Sequence, residues 1–119
     1  MARLRGHQVV APPLLWSEAT ASILQRVYRA ELTPALAQHM LETLARAPVK
    51  RVVRGDLYAE AYAIADRLGW AKTYDAEYIA LARLLDCPLL TADARLARGA
   101  SSVVDILPPI GVSTRVPKR

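Results

Sequence analysis

Apolar positions recur along the chain at two spacings, and these spacings predict helices that alternate with strands. Several stretches carry an apolar residue every three or four positions, as on one face of a helix. Short apolar runs bounded by proline or glycine separate them and are typical of buried strands. Strands are predicted at 8–11, 49–53, 89–92 and 103–107, and helices at 14–30, 34–47, 57–68, 74–86 and 94–98. This order predicts an α/β domain with a mainly parallel sheet.

Polar and small residues mark the predicted helix ends. Thr33, Asp56 and Thr73 are expected to be N-caps, because their side-chain oxygens can accept from unpaired backbone N–H groups. Gly69 and Gly99 are expected to end helices. The glycines are otherwise scattered, so no glycine-rich phosphate loop is present, which argues against a P-loop nucleotidase or a dinucleotide-binding enzyme.

Composition limits the class of protein. The 119 residues suffice for one domain, and a hydrophobic content of 53% argues against disorder. The apolar runs are shorter than the ~18 to 20 residues of a membrane span, and a cytoplasmic protein is expected. Cys87 is the only cysteine, which excludes an intrachain disulfide, and it is predicted to be a small core residue. The net charge of +5 suits an anionic partner such as nucleic acid, although the basic residues are spread along the chain.

Three acidic residues occupy similar places in the predicted fold. Asp75 falls in the first turn of a helix, where the helix dipole favours a carboxylate. Asp93 closely follows a predicted strand, and Glu18 falls near the start of the helix after the first strand. In a parallel α/β sheet such positions lie at the carboxyl edge, where ligands bind. The three side chains are therefore expected to meet.

Clustered carboxylates indicate a metal site, since like charges repel unless a cation lies among them. Oxygen ligands favour Mg²⁺ or Mn²⁺ over zinc. Thr91 could orient Asp93, or a water on the metal, through its hydroxyl. A plainer interpretation stays open from spacing alone: Asp75 is then only a dipole-favoured carboxylate, Asp93 the cap of the next helix, and Glu18 a solvated side chain.

Other candidate groups are weaker. His7 and His39 are far apart in sequence, and no histidine is evidently placed to activate Ser17 as a nucleophile. Four tyrosines lie at helical spacing, and a packing or dimer stripe is favoured over a base-stacking platform. They are Tyr58, Tyr62, Tyr74 and Tyr78.

Three segments, in order, resemble the PIN domain, and most closely the VapC type of bacterial toxin–antitoxin ribonuclease. They are VVAPPLLWSE at 9–18, YDAEYIALA at 74–82 and LTADARL at 90–96. The resemblance covers nearly the whole chain and implies a three-layer PIN-like fold over residues 1–109, followed by a C-terminal tail at 110–119. It makes Glu18, Asp75 and Asp93 the second, third and fourth acidic residues of a Mg²⁺ site. It also implies RNA cleavage by a metal-activated water, a homodimer and a small antitoxin protein as partner.

The sequence departs from the family at its start. The family's opening strand, which carries its first aspartate and lies mid-sheet, is missing, so the fold is expected to be N-terminally truncated. Residues 2–7 resemble the end of the helix that would follow that strand. The gap in the sheet predicts repair by a partner subunit, in a swapped or intertwined dimer. Loss of one carboxylate could impair catalysis, so the alternative is an inactive remnant that binds RNA or an antitoxin-like protein. A receiver-like signalling domain is disfavoured, because Lys118 lies in the tail rather than at the end of a late strand.

Overall fold

Five strands and five helices lie in the part of the chain that the computed structural model describes, namely residues 2–3, 8–91 and 94–107. The strands are β1 (Ala2–Arg3), β2 (Val9–Ala11), β3 (Val49–Arg51), β4 (Leu89–Leu90) and β5 (Ile106–Leu107). The helices are α1 (Leu14–Tyr28), α2 (Pro34–Arg46), α3 (Leu57–Leu68), α4 (Tyr74–Leu84) and α5 (Ala94–Ala100).

The strands form one sheet in the order β3-β2-β1-β4-β5. The outer pairs, β2 with β3 and β4 with β5, are parallel, whereas β1 is antiparallel to both of its neighbours. Four of the five strands therefore run in one direction. The prediction of an α/β fold with a mainly parallel sheet is confirmed.

The centre of the sheet differs from the prediction. Ala2–Arg3 is a strand and not the end of a helix, while residues 4–7 lie outside the described residues. Ala2 pairs with Val10 on one side and with Leu89 on the other, so β1 bridges the two halves of the sheet. The chain itself thus occupies the place where a partner's strand was expected, which removes the physical reason for an intertwined dimer.

Helix α4 forms the centre of the core. Residues 76–82 are all buried in it, as in a helix surrounded by protein on every side. In β2, Val10 and Ala11 are both fully buried, and successive strand residues point to opposite faces. Both faces of the sheet are therefore covered there, as a three-layer fold requires. Cys87 is half-buried and packs against the core, as predicted.

One of the three predicted N-caps uses its side chain. Thr33 Oγ1 accepts from the backbone N–H of Leu36 at 3.1 Å, as predicted. Asp56 and Thr73 precede their helices but cap neither with a side-chain hydrogen bond. The carboxylate of Asp56 instead accepts two hydrogen bonds from the guanidinium of Arg54, at 2.9 and 2.8 Å. A bidentate, charge-assisted pair is stronger than a hydrogen bond to one backbone N–H.

The two glycines predicted to end helices differ. Gly69 ends α3 in the left-handed conformation, with φ of 74°, as predicted. Gly99 does not end α5, which continues through it to Ala100. A Cβ at Gly99 would lie 2.6 Å from Cζ2 of Trp70, so the absence of a side chain makes room for the indole ring.

The last strand is shorter than predicted. The backbone N–H groups of Val103 and Val104 both donate to the carbonyl of Ala100, so the chain turns after α5 before β5 begins. No helix among the described residues is long and apolar enough to cross a membrane.

Candidate active site

Glu18 is the first predicted site residue along the chain. It lies in the second turn of α1, which begins shortly after β2 ends, and its side chain is exposed. Its Oε1 accepts a hydrogen bond from the hydroxyl of Tyr78, a residue of α4. This bond joins two helices that are far apart in sequence and restricts the orientation of the carboxylate.

Asp75 is the second predicted site residue along the chain. It lies in the first turn of α4, as predicted, and is exposed to solvent. Glu18 and Asp75 line one open cleft with a volume of about 670 Å³, which we call the carboxylate cleft. Its other lining residues come from the segment before α4, from the start of α4 and from α5: Gly69, Trp70, Ala71, Lys72, Tyr74, Leu96 and Gly99.

Glu77 is a further acidic residue of this region, beyond the three predicted ligands. Its side chain is only 9% exposed. Burial raises the pKa of the Glu77 carboxyl above its ordinary value, and the negative charge of Glu18 raises it further. No signal in the sequence marks it, because its burial within the run 76–82 follows from the packing of α4 in the core.

Tyr78 lies at the centre of these charges. Burial raises the pKa of the Tyr78 phenol well above its ordinary value, as do its hydrogen bond to Glu18 and the charges of Glu18, Asp75 and Glu77. The phenol therefore stays protonated at neutral pH and acts as a donor to Glu18. All three carboxylates act electrostatically on one hydroxyl, which supports a common site.

Asp93, the third predicted ligand, lies outside the described residues. Thr91 is half-buried and directly follows β4, and α5 begins at Ala94, directly after residue 93. Leu96 of α5 lines the carboxylate cleft, so the chain reaches the cleft three residues after Asp93. Within 2–3, 8–91 and 94–107, no three histidine, cysteine or acidic side chains are grouped to hold a metal ion. The complete trio therefore stays a prediction.

The donor chemistry fits a hard divalent cation. Glu18 and Asp75 present carboxylate oxygens to one cleft, and such oxygens are the ligands that Mg²⁺ and Mn²⁺ prefer. The raised pKa of Glu77 has the charge of Glu18 as one cause, which means that negative charge accumulates here. A bound cation would relieve that repulsion.

Of the weaker candidates, His39 and Ser17 do not line this cleft, whereas Tyr74 does. His39 is exposed on α2, and His7 lies outside the described residues. Ser17 is exposed and does not line the cleft. The tyrosines do not form one stripe. Tyr78 is buried against Glu18, whereas the other three are more than half exposed: Tyr58, Tyr62 and Tyr74.

Comparison with known proteins decides the family. The model of the PIN domain matches residues 1–101, which is most of the chain. This chain belongs to the PIN-domain family. This chain is 35% identical over 94 residues to "VapC ribonuclease Mb0985" of Mycobacterium bovis and to "Ribonuclease VapC9" of Mycobacterium tuberculosis. Each alignment covers 79% of this chain and 72% of the relative. The chain is thus a PIN domain of the VapC type, and the family expected from the resemblance is confirmed.

Proposed function

We propose that this PIN domain is a Mg²⁺- or Mn²⁺-dependent endoribonuclease of the VapC toxin type, which hydrolyses RNA phosphodiesters in the cytoplasm. The observation that carries the proposal is the position of Glu18 and Asp75, which come from different helices and line one cleft. The mycobacterial relatives, both named as ribonucleases, support the same activity.

The site residues fall into three roles in this proposal. Glu18, Asp75 and Asp93 hold the cation, and Thr91 orients Asp93 through its hydroxyl. When bound, the cation would polarise the phosphodiester and lower the pKa of the attacking water. Tyr78 keeps its proton and directs one oxygen of Glu18, so that the carboxylate needs little rearrangement when the substrate arrives.

Turnover is proposed to be slower than at a site with four carboxylates. The central strand of the sheet is Ala2–Arg3, which carries no acidic residue. One ligand fewer weakens the binding of a divalent cation, because affinity depends on the number and charge of the ligands. If turnover is absent altogether, the chain is the inactive remnant that binds RNA or an antitoxin-like protein.

The partners belong to the same proposal. We infer an RNA substrate, a small antitoxin protein that neutralises the toxin, and a homodimer. The net charge of +5 favours association with RNA. An intertwined form is not part of the proposal, because β1 already joins β2 to β4 within one chain.

A cleavage assay tests the activity. RNA is incubated with the wild type in Mg²⁺, in EDTA, and with the Asp75→Asn and Asp93→Asn variants. We expect cleavage only in Mg²⁺, and a loss in both variants larger than the roughly 10- to 100-fold effect of removing an outer partner of a metal ligand. Asp66→Asn, on α3 and outside the cleft, is the matched control and should cleave like the wild type.

Two outcomes would contradict the proposal. Cleavage that survives EDTA and both substitutions belongs to a contaminant or to another site. RNA binding without cleavage in either Mg²⁺ or Mn²⁺ establishes the inactive alternative.

A further inference from the structure

The carboxylate cleft has a second wall that carries no acidic residue. It is formed by the segment between α3 and α4 together with the first residue of α4, and includes Trp70, Lys72 and Tyr74. A metal site requires only the carboxylates, so this aromatic and basic wall has no part in holding a cation. Its chemistry matches a nucleotide, which offers a flat base and a phosphate.

Tyr74 is the exposed aromatic residue of this wall. It precedes Asp75 in the chain, and 54% of the residue is accessible to solvent. Tyr78, one helical turn later, is buried and hydrogen-bonded to Glu18. The core therefore uses the second tyrosine and leaves the ring of Tyr74 available beside the carboxylates.

Lys72 supplies a positive charge in a cleft lined by carboxylates. Its side chain is exposed, and it forms no ion pair with any residue within the described ranges. It lines the same cleft as Glu18 and Asp75 but is bonded to neither. Since no described residue pairs with it, this ammonium group can bind an anionic group that enters the cleft.

Trp70 anchors the segment that forms the wall. Its backbone N–H donates to the carbonyl of Ala65 at 2.8 Å, which fixes the chain at the end of α3. Its indole ring packs against Gly99 of α5, where a Cβ would lie 2.6 Å from Cζ2. The segment that carries Lys72 and Tyr74 is thus anchored at its start, and the cleft needs little ordering when a ligand binds.

We propose that this wall is a nucleotide subsite for single-stranded RNA, in which the ring of Tyr74 stacks on a base and the ammonium of Lys72 binds a backbone phosphate. The volume of about 670 Å³ lies within the range of small-molecule pockets. A single strand is required, because a base can stack on a side chain only when it has left its own helix. The inference rests on the proposed ribonuclease function and adds how the substrate is positioned.

The test measures the binding of a four-nucleotide RNA by NMR. EDTA is present so that the RNA is not hydrolysed during the titration. An abasic oligonucleotide of the same length and charge is the second probe. Tyr74→Leu should weaken binding of the RNA roughly tenfold and leave binding of the abasic probe unchanged, because stacking requires a base. Tyr62→Leu, which removes a tyrosine 68% exposed on α3, is the matched control and should bind both probes like the wild type.

Lys72→Gln should weaken binding of both probes, since both carry the phosphates. The slope of log affinity against log salt should also fall by about 0.7, the value for one phosphate contact on a single strand. Lys50→Gln, which removes an exposed lysine of β3 outside the cleft, is the control and should leave the slope unchanged. Thermal unfolding of each variant confirms that it folds.

Three results would overturn the subsite. They are equal RNA affinity for Tyr74→Leu and Tyr62→Leu, equal loss of both probes in Tyr74→Leu, and the same salt slope in the two lysine variants. The subsite and the ribonuclease activity can be refuted separately. If RNA binding depends on Tyr74 but no RNA is cleaved, the ribonuclease proposal is wrong and the subsite stands. If RNA is cleaved but these variants bind RNA like the wild type, the subsite is wrong and the ribonuclease proposal stands.

Discussion

The contact between Tyr78 and Glu18 is the most informative single interaction in the molecule. It joins α1 to α4 and fixes one oxygen of Glu18, which lines the same cleft as Asp75. A hydrogen bond to a charged acceptor is stronger than one between neutral groups. The bond therefore both stabilises the packing of two helices and orients a ligand for the proposed cation.

Tyr78→Phe removes only the donor. We expect the variant to fold with a loss of about 1 to 3 kcal/mol, and its apparent Mg²⁺ affinity in the cleavage assay to fall about 10- to 100-fold. Titration of cleavage rate against Mg²⁺ measures the effect. Tyr62→Phe, at an exposed position of α3, should change neither quantity. An unaltered Mg²⁺ dependence in Tyr78→Phe would show that the bond is only structural.

The limits of the sequence at this scale are physical. Asp75 and Glu18 could be placed because helix starts have recognisable local signals, and the structure brings both to one cleft. Neither Glu77 nor the bond from Tyr78 to Glu18 could be predicted, because burial and a contact across 60 residues depend on how α1 and α4 pack. The position of Asp93 stays a prediction.

The turn before α3 shows how side-chain pairs compete with helix caps. Asp56 had the residue type and position of a cap, but the guanidinium of Arg54 lies two residues away and binds both of its oxygens. The hydrogen bond from Arg54, followed by its positive charge, holds the pKa of the Asp56 carboxyl below its ordinary value. Sequence alone does not decide between a nearby cation and a backbone N–H.

Arg54→Gln should restore an ordinary pKa to Asp56, as measured by NMR titration of the carboxyl. Because the folded-state pKa is lowered in the wild type, the pair stabilises the fold above the unfolded-state pKa of Asp56. This stabilisation is lost as the pH falls through the folded-state value. The stability difference between wild type and variant should therefore be present at neutral pH and vanish in acid. A difference that persists in acid would contradict this linkage.

Helix α5 continues through Gly99 because the indole ring of Trp70 occupies the space of a side chain. Gly99→Ala forces the rigid ring to move, at a cost of about 1 to 3 kcal/mol for overpacking. The better helix propensity of alanine offsets only about 1 kcal/mol of that. Thermal unfolding should therefore show a lower melting temperature.

Gly55→Ala is the matched control for this substitution. Nothing lies within 4 Å of a Cβ built at Gly55, and its backbone does not have a positive φ. Alanine there should be neutral or stabilise the protein by up to about 1 kcal/mol. Equal melting temperatures for the two variants would mean that the contact of Trp70 with Gly99 is not tight.

At the scale of the whole molecule, a strand of two residues completes the sheet. Local periodicity predicted the helices and the other strands, because these elements carry the signal in their own residues. Ala2–Arg3 carries no such signal, because it is too short to alternate, and its pairing with Leu89 is far from local in sequence. The sequence therefore does not show that β1 fills the expected gap in the sheet, and only the assembled sheet does.

The same assembly brings residues of α1, the start of α4, the segment between α3 and α4, and α5 to one cleft. The proposed activity depends on this convergence, and not on any single motif. If a divalent cation binds elsewhere, the carboxylates of the cleft are ordinary surface groups. That is the plainer interpretation, in which each carboxylate has only a local role.

The claim that a divalent cation binds in the carboxylate cleft is tested most directly by NMR. Bound Mn²⁺ is located by the paramagnetic broadening of nearby backbone amide signals. At low Mn²⁺ the account predicts that the amides of Glu18, Asp75 and Glu77 broaden first. Asp75→Asn and Asp93→Asn should each abolish this broadening, while Asp66→Asn leaves it unchanged. Broadening centred on another part of the surface, or undiminished in Asp75→Asn and Asp93→Asn, would contradict it.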